Sequence, residues 1–425
     1  MEQTPKANRV HIGFFGRCNA GKSTLINMLT DQPVSIVSEV AGTTTDPVSK
    51  SMEILPLGPV VITDTAGIDD TSELGALRIE KSEEIIKKIN LAVYVLRNDE
   101  APTADDMMWL NKLKQNNVPI ALFINKINAF DSESARDNDS NGNDTNLNYV
   151  DAYPDLSAIA TVVGSTDFTS NRDRLTLLDL LGGLTPLDVE GEQSLLQGLV
   201  DPGDTIILVC PIDSAAPKGR LILPQVQTIR EILDHKGLAL VCQTEELPTM
   251  LSKLSQKPKL VITDSQAFEA VNALTPADIP LTSFSILMAR FKGKLQDLVT
   301  GVKALNNLKP GAHVLISEGC THRRQCDDIG TVKIPMWLKK KGHTDLQLEF
   351  TSGGAFPKDV SGYDLIIHCG ACMLTRREVL RRIDCAVVQG TPIVNYGVLI
   401  ASLHGILERA ISPFMDELDR KGFEC

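Results

Sequence analysis

Short apolar runs recur along this chain, and the stretches between them repeat their apolar positions at helical spacing. In residues 8–181 the runs are VHIGFFG, VVITDTAG, LAVYVLR and IALFINK, and LGALRIEKSEEIIKKI is a helical stretch. This alternation predicts a doubly wound, mostly parallel sheet. The rhythm resumes at TIILVCPID, VQTIREILDHK, LALVCQ and KLVITD. It returns a third time at AHVLISEG, LQLEFTSGG, DLIIHCG and TPIVNYG, closing on the helical VLIASLHGILERAI. We therefore expect an α/β protein of three domains, at 8–181, 195–304 and 310–425. The Gly-, Pro- and acid-rich GGLTPLDVEGE lies between the first two. Residues 131–148, DSESARDNDSNGNDTNLN, interrupt the pattern and read as a mobile polar loop with no core to bury. No repeat of solenoid period is present.

Composition narrows the function. An apolar fraction of 43% and a charged fraction of 23% in 425 residues suit ordinary globular domains. The net charge of -12 argues against a nucleic-acid partner. No apolar run approaches the roughly 20 residues of a membrane helix, and MEQTPKANRV lacks an apolar signal core. A cytoplasmic protein without a membrane partner is expected. Of nine cysteines, Cys18, Cys210 and Cys242 stand alone, whereas Cys320, Cys326, Cys369, Cys372 and Cys385 crowd one region. In a reducing compartment such crowding points to metal or redox chemistry rather than disulfides.

GRCNAGKS, residues 16–23, follows an apolar run and opens the helical TLINMLT. It fits the phosphate-binding pattern G-x-x-x-x-G-K-S in its required strand-to-helix context. Glycine lets backbone N–H groups of Asn19, Ala20 and Gly21 approach phosphate oxygens, and the helix start at Ser23 and Thr24 adds positive dipole. Lys22 is expected to bridge the β- and γ-phosphates, and the Ser23 hydroxyl to ligate Mg²⁺. DTAG places Asp64 to hold Mg²⁺ through water and the Gly67 N–H to sense a γ-phosphate. Between the two motifs, AGTTTD offers Thr43 or Thr44 to the same ion.

Over this first segment the chain resembles the TrmE–Era class of GTPases. The resemblance implies that Thr44 is the switch ligand and that Asn19 serves a K⁺-assisted hydrolysis. Ile68 stands where Ras-like proteins place a water-orienting glutamine. Glu73 is the candidate for positioning the attacking water. The base-specifying motif departs from the class: NKIN, residues 125–128, replaces N-K-x-D. Asn125 and Lys126 match, but Asn128 offers guanine one neutral acceptor in place of a carboxylate. GTP and GDP remain the expected nucleotides. The last guanine loop is expected near VVGSTD, residues 162–167.

SEGCTHRRQC and HCGAC each follow an apolar run, at the strand ends where open α/β sheets place ligands. The residues leave three readings open. The cysteines can be small core residues. Cys320, His322, Cys369 and Cys372 can form a closed Cys₃His zinc site. Three thiolates can instead hold an iron–sulfur cluster whose remaining iron takes an exchangeable ligand, with His322, His368 and Glu318 as candidates. A lone redox C-x-x-C is less attractive because no thioredoxin-like helix start adjoins it. Cys326 and Cys385 read as structural.

C-T-H followed by H-C-G-A-C, behind a TrmE–Era-like segment, resembles the [FeFe]-hydrogenase maturation GTPases, the HydF family. PIDSAAPKGRLILPQVQTIREILD, residues 211–234, resembles that family's middle domain. The resemblance implies a [4Fe–4S] cluster on Cys320, Cys369 and Cys372 and a homodimer formed by the middle domain. It further implies a scaffold that accepts a diiron precursor from two radical-SAM maturases and passes it to apo-hydrogenase. The rival expectation is a nucleotide-regulated zinc protein that binds RNA as Era-like GTPases do.

Overall fold

The computed structural model describes residues 9–30, 48–54, 58–65, 82–126, 152–166, 171–184, 194–212, 221–319, 328–353 and 355–419. The chain divides into two compact units, residues 1–190 and 191–425.

The first unit is built on six strands. They are β1 (Val10–Phe15), β2 (Val48–Ile54), β3 (Gly58–Asp64), β4 (Leu91–Arg97), β5 (Ile120–Asn125) and β6 (Val162–Thr166). Their order is β2-β3-β1-β4-β5-β6, parallel throughout except that β2 runs antiparallel to β3. The central strands are apolar on both faces because both are covered. Ile12, Phe14, Val93, Val95 and Phe123 pack with Leu25 and Leu29 of the Lys22–Thr30 helix and with Leu177 and Leu181. Phe15, Tyr94 and Leu122 face the opposite way, onto Trp109, Leu110 and Leu113 of the Ala104–Gln115 helix. Thr103 and Asp106 close the start of that helix as a capping box.

Two details differ from expectation. VSKSMEI, whose apolar positions alternate with polar ones, is the edge strand β2 and was not anticipated as a strand. VVGST, expected to contribute to the last guanine loop, pairs with β5 as strand β6. Its apolar start joins the sheet, so any loop follows it, outside the described residues. The polar stretch 131–148 also lies outside them.

The second unit holds two four-stranded parallel sheets. One comprises β7 (Thr205–Val209), β8 (Leu238–Cys242), β9 (Leu260–Thr263) and β10 (Leu281–Ser283), in the order β10-β9-β7-β8. The other comprises β11 (His313–Glu318), β12 (Gln347–Ser352), β13 (Leu365–His368) and β14 (Ile393–Asn395), in the order β12-β11-β13-β14. Both sheets thus carry their second strand on one side of the first, and the third and fourth on the other. The expected 195–304 and 310–425 segments contribute one sheet each to a shared hydrophobic core that runs from Leu195 to Leu418.

β10 and β14 each lead straight into a helix, Phe284–Lys292 and Tyr396–Leu403. Ser283 caps the first by accepting from the Ile286 N–H, and Asn395 caps the second by accepting from the Val398 N–H. The Asn395 amide also donates to the Ser285 carbonyl at 2.9 Å, joining the two helix starts. VLIASLHGILERAI is two helices rather than one. The chain turns at Gly405 (φ 71°) and resumes as Leu407–Ile411.

Candidate functional site

At the nucleotide motif, β1 ends in a loop whose path only glycine permits. Gly16 has φ 136°, and a Cβ there would come within 2.5 Å of the Val95 carbonyl oxygen. Asn19 also takes a left-handed turn, with φ 60°. Lys22 is buried and donates to the carbonyls of Gly16 at 2.8 Å and Arg17 at 2.7 Å. Ser23 and Thr24 are exposed on the first helical turn, and Asn19 is exposed on the loop. Asn125 donates to the Ala20 carbonyl at 3.1 Å, so the base-specifying segment is tied to the phosphate loop. Lys126 follows it, half-buried. Behind the loop, Arg17 forms ion pairs with Glu100 at 2.8 Å and with the fully buried Asp106 at 3.4 Å.

Asp64 ends β3. Its Oδ1 is buried and accepts no hydrogen bond. Burial raises its pKa, and the Lys22 charge works against that rise. A buried carboxylate oxygen without a donor, beside a lysine, fits a site that Mg²⁺ and its water complete. Thr43, Thr44, Gly67, Glu73 and Asn128 lie outside the described residues.

At the second candidate site, β11 and β13 end side by side, with Ser317 paired to His368. The Cys369 sulfur accepts backbone N–H groups from Gly319 at 3.0 Å and Ala371 at 3.3 Å. Ala371 holds φ at 54°, a strained value for a residue with a Cβ. Burial pushes the Cys369 thiol up to about 11. Burial also raises the pKa of Cys372, against the pull of the nearby Lys292 charge. Glu318 is buried and accepts from the Tyr396 hydroxyl at 3.3 Å.

Two thiols, one already receiving two N–H donors, suit a thiophilic metal or cluster once deprotonated. Among the described residues no three His, Cys, Asp or Glu side chains converge as a metal site. Cys320, His322 and Cys326 lie outside those residues. Cys385 stands apart on the Arg376–Val388 helix, within reach of the Lys358 carbonyl.

His368 has no nitrogen left for a metal in this arrangement. Its Nδ1 meets the Cys369 carbonyl at 2.9 Å, and its Nε2 meets Arg382 Nη1 at 3.2 Å. Arginine only donates, so Nε2 accepts and Nδ1–H donates. Burial first, then the Arg382 charge, depresses the His368 pKa to about 4. The ring orients the cysteine loop. Arg382 is fully buried and also binds Glu378 at 2.8 Å and the Gly353 carbonyl at 2.6 Å. A helix start follows the two thiols only at a distance, so it does not adjoin them as in a thioredoxin-like motif. Thr375 caps the Arg376–Val388 helix, with both thiols ahead of its first turn. Neither Arg382 nor Lys292 was foreseen, because a single basic residue on an amphipathic helix carries no signal of its burial.

Comparison with known proteins follows the same division. Residues 11–126 match the family described as 50S ribosome-binding GTPase. Residues 195–293 match the hydrogen maturase F dimerization domain, and residues 296–413 match the hydrogen maturase F tetramerization domain. The chain belongs to the hydrogen maturase F family. Its first unit is the GTPase domain of this hydrogenase-maturation family. Relatives of that domain include the tRNA modification GTPase MnmE of Endomicrobium trichonymphae, 33% identical over 28% of this chain and 26% of that protein. The MnmE of Heliobacterium modesticaldum is 37% identical over 26% of this chain and 23% of its own length. The GTPase Der of Campylobacter curvus is 35% identical over 27% of this chain and 24% of its own. The chain therefore spans about a quarter of each of these relatives. Among the described residues, no helix is long and apolar enough to cross a membrane.

Proposed function

We propose that this protein is a GTP-hydrolysing scaffold of [FeFe]-hydrogenase maturation. On this reading it holds a [4Fe–4S] cluster on Cys320, Cys369 and Cys372, and carries a diiron precursor as cargo from two radical-SAM maturases to apo-hydrogenase. The observation that carries the cluster assignment is the Cys369 sulfur receiving two backbone N–H groups beside Cys372. Such bonds favour a thiolate over a buried neutral thiol. Glu318 and His322 are the side chains for the remaining position, while His368 positions the loop. The cluster supplies an iron with one replaceable ligand, at which cargo can dock.

In the GTPase domain, Lys22 turns from the carbonyls of Gly16 and Arg17 to the phosphates when nucleotide binds. Ser23 and Thr44 ligate Mg²⁺, Asp64 holds its water, and Asn19 favours K⁺ over Na⁺ in hydrolysis. Glu73 positions the attacking water. Loss of the γ-phosphate releases Thr44 and Gly67, and so changes partner affinity. Segment 195–304 forms the homodimer and 310–425 carries the cluster, both within the cytoplasm. Strand β8 supports self-association: it is an edge, and Leu238 and Val241 stand 57% and 43% exposed on it.

Anaerobic purification with iron, sulfide and zinc analysis and EPR tests the cluster. We expect a [4Fe–4S] signal that Cys369→Ala abolishes. Zinc filling the wild-type site, with no iron lost in Cys369→Ala, sinks the assignment in favour of a Cys₃His zinc protein.

A further inference from the structure

Lys292 ends the Phe284–Lys292 helix, which lies in the segment matched by the dimerization domain. It is 2% exposed, and its ammonium donates to the carbonyls of Cys372 at 3.0 Å and Leu374 at 2.8 Å. One residue earlier, the Phe291 carbonyl accepts from Arg376 Nε at 3.2 Å. The end of this helix is thus tied three times to residues 372–376, which lie in the other matched segment. Lysine is among the residues least often buried, and burying its charge costs several kcal/mol unless acceptors and negative charge meet it. Two carbonyls are met here. These two bonds hold the ammonium against the backbone of the segment that bears Cys372.

We propose that Lys292 is a positioning residue of the cysteine site, supplied by the dimerization segment. It fixes the backbone of the Cys369–Leu374 loop and sets a permanent positive charge beside whatever anion the thiolates form. This inference rests on the cluster reading above for its electrostatic half only. The loop-holding half belongs to the metal-free protein. A cation beside a cluster favours the more negative, reduced state, because its attraction grows with the negative charge it faces.

The test uses full-length protein carrying Lys292→Gln or Lys292→Met, with Cys369→Ala as control. Three quantities are read: amide exchange of residues 369–374 in the metal-free protein, iron and sulfide per chain after reconstitution, and the midpoint potential by EPR. We expect Lys292→Met to speed exchange in that loop at least tenfold. Lys292→Gln, which keeps a donor without the charge, should retain the cluster. Its ratio of reduced to oxidised cluster at fixed potential should fall about tenfold, about 59 mV for one electron. Wild-type exchange in Lys292→Met together with a wild-type potential in Lys292→Gln overturns the proposal. If Lys292→Met fails to fold, Lys292→Gln decides alone through its potential and exchange. Full iron in Cys369→Ala overturns the cluster reading instead, and the metal-free exchange still decides whether Lys292 holds the loop.

Discussion

Arg382 holds His368 in one tautomer: its Nη1 sits 3.2 Å from Nε2, leaving the Nδ1 proton for the Cys369 carbonyl. A histidine next in sequence to a candidate ligand is thereby committed to the backbone. Arg382→Met removes that donor and strips Glu378 of one of its two arginine partners. Breaking a buried pair of this kind costs about 3–5 kcal/mol. Urea denaturation of the metal-free protein should show a loss of that size.

The same network predicts acid sensitivity in the metal-free protein. Burial opposes ionisation of Glu378, but hydrogen bonds and charge from Arg381 and Arg382 outweigh it and lower its pKa below 4.5. The unfolded chain then binds the proton first, so this stability is present above pH 4.5 and lost as pH falls through the folded value. His368, depressed from 6.5 to about 4, acts with the same sign over that interval. Stability should fall from pH 6.5 downward, and Arg382→Met should flatten the curve. An equally steep curve in that variant would remove the network from the explanation.

Gly16→Ala should abolish nucleotide binding. The added Cβ meets the Val95 carbonyl oxygen at 2.5 Å in a backbone conformation alanine resists. A stability loss of about 2 kcal/mol or more is expected from strain at such a position. Thermal unfolding and fluorescent-GDP titration read the two effects separately.

Asn128→Asp should tighten GTP. A carboxylate restores a charge-assisted pair to guanine, roughly twice as strong as the neutral bond. About tenfold in Kd, worth about 1.4 kcal/mol, is the expected gain by calorimetry. No gain, with ATP competing equally against GTP, would mean that guanine is not read at this position.

Val241→Lys should yield monomers by light scattering without loss of fold. Lysine on an exposed edge strand obstructs pairing with a second edge. An unchanged assembly would place the dimer contact elsewhere.

Much of this was legible from the sequence, for reasons the structure makes plain. VHIGFFG, LAVYVLR and IALFINK are buried on both faces along their centres, so polar residues stand only near their ends and the strands announce themselves. Edge strand β2 carries VSKSMEI, whose Ser49 and Lys50 are exposed, and so mixed a stretch is easily passed over. The pairing of HCGAC with the end of β11 follows from strand-end logic and was anticipated. Its buried cations were not. Lys292 is 80 residues from Cys372, and only the packing of two parallel sheets brings them together.

The two sheets of residues 191–425 share one apolar interior, and that has a consequence for how the chain comes apart. Elements that share one core lose it together in global unfolding, whatever local openings precede it. The exposed edge strand β8 and the loop that bears the thiols rest on that one core, and both lose their support when it melts. A core lesion at either end of this block lowers the global stability that backs the other, while a single loop such as 369–374 can still open locally.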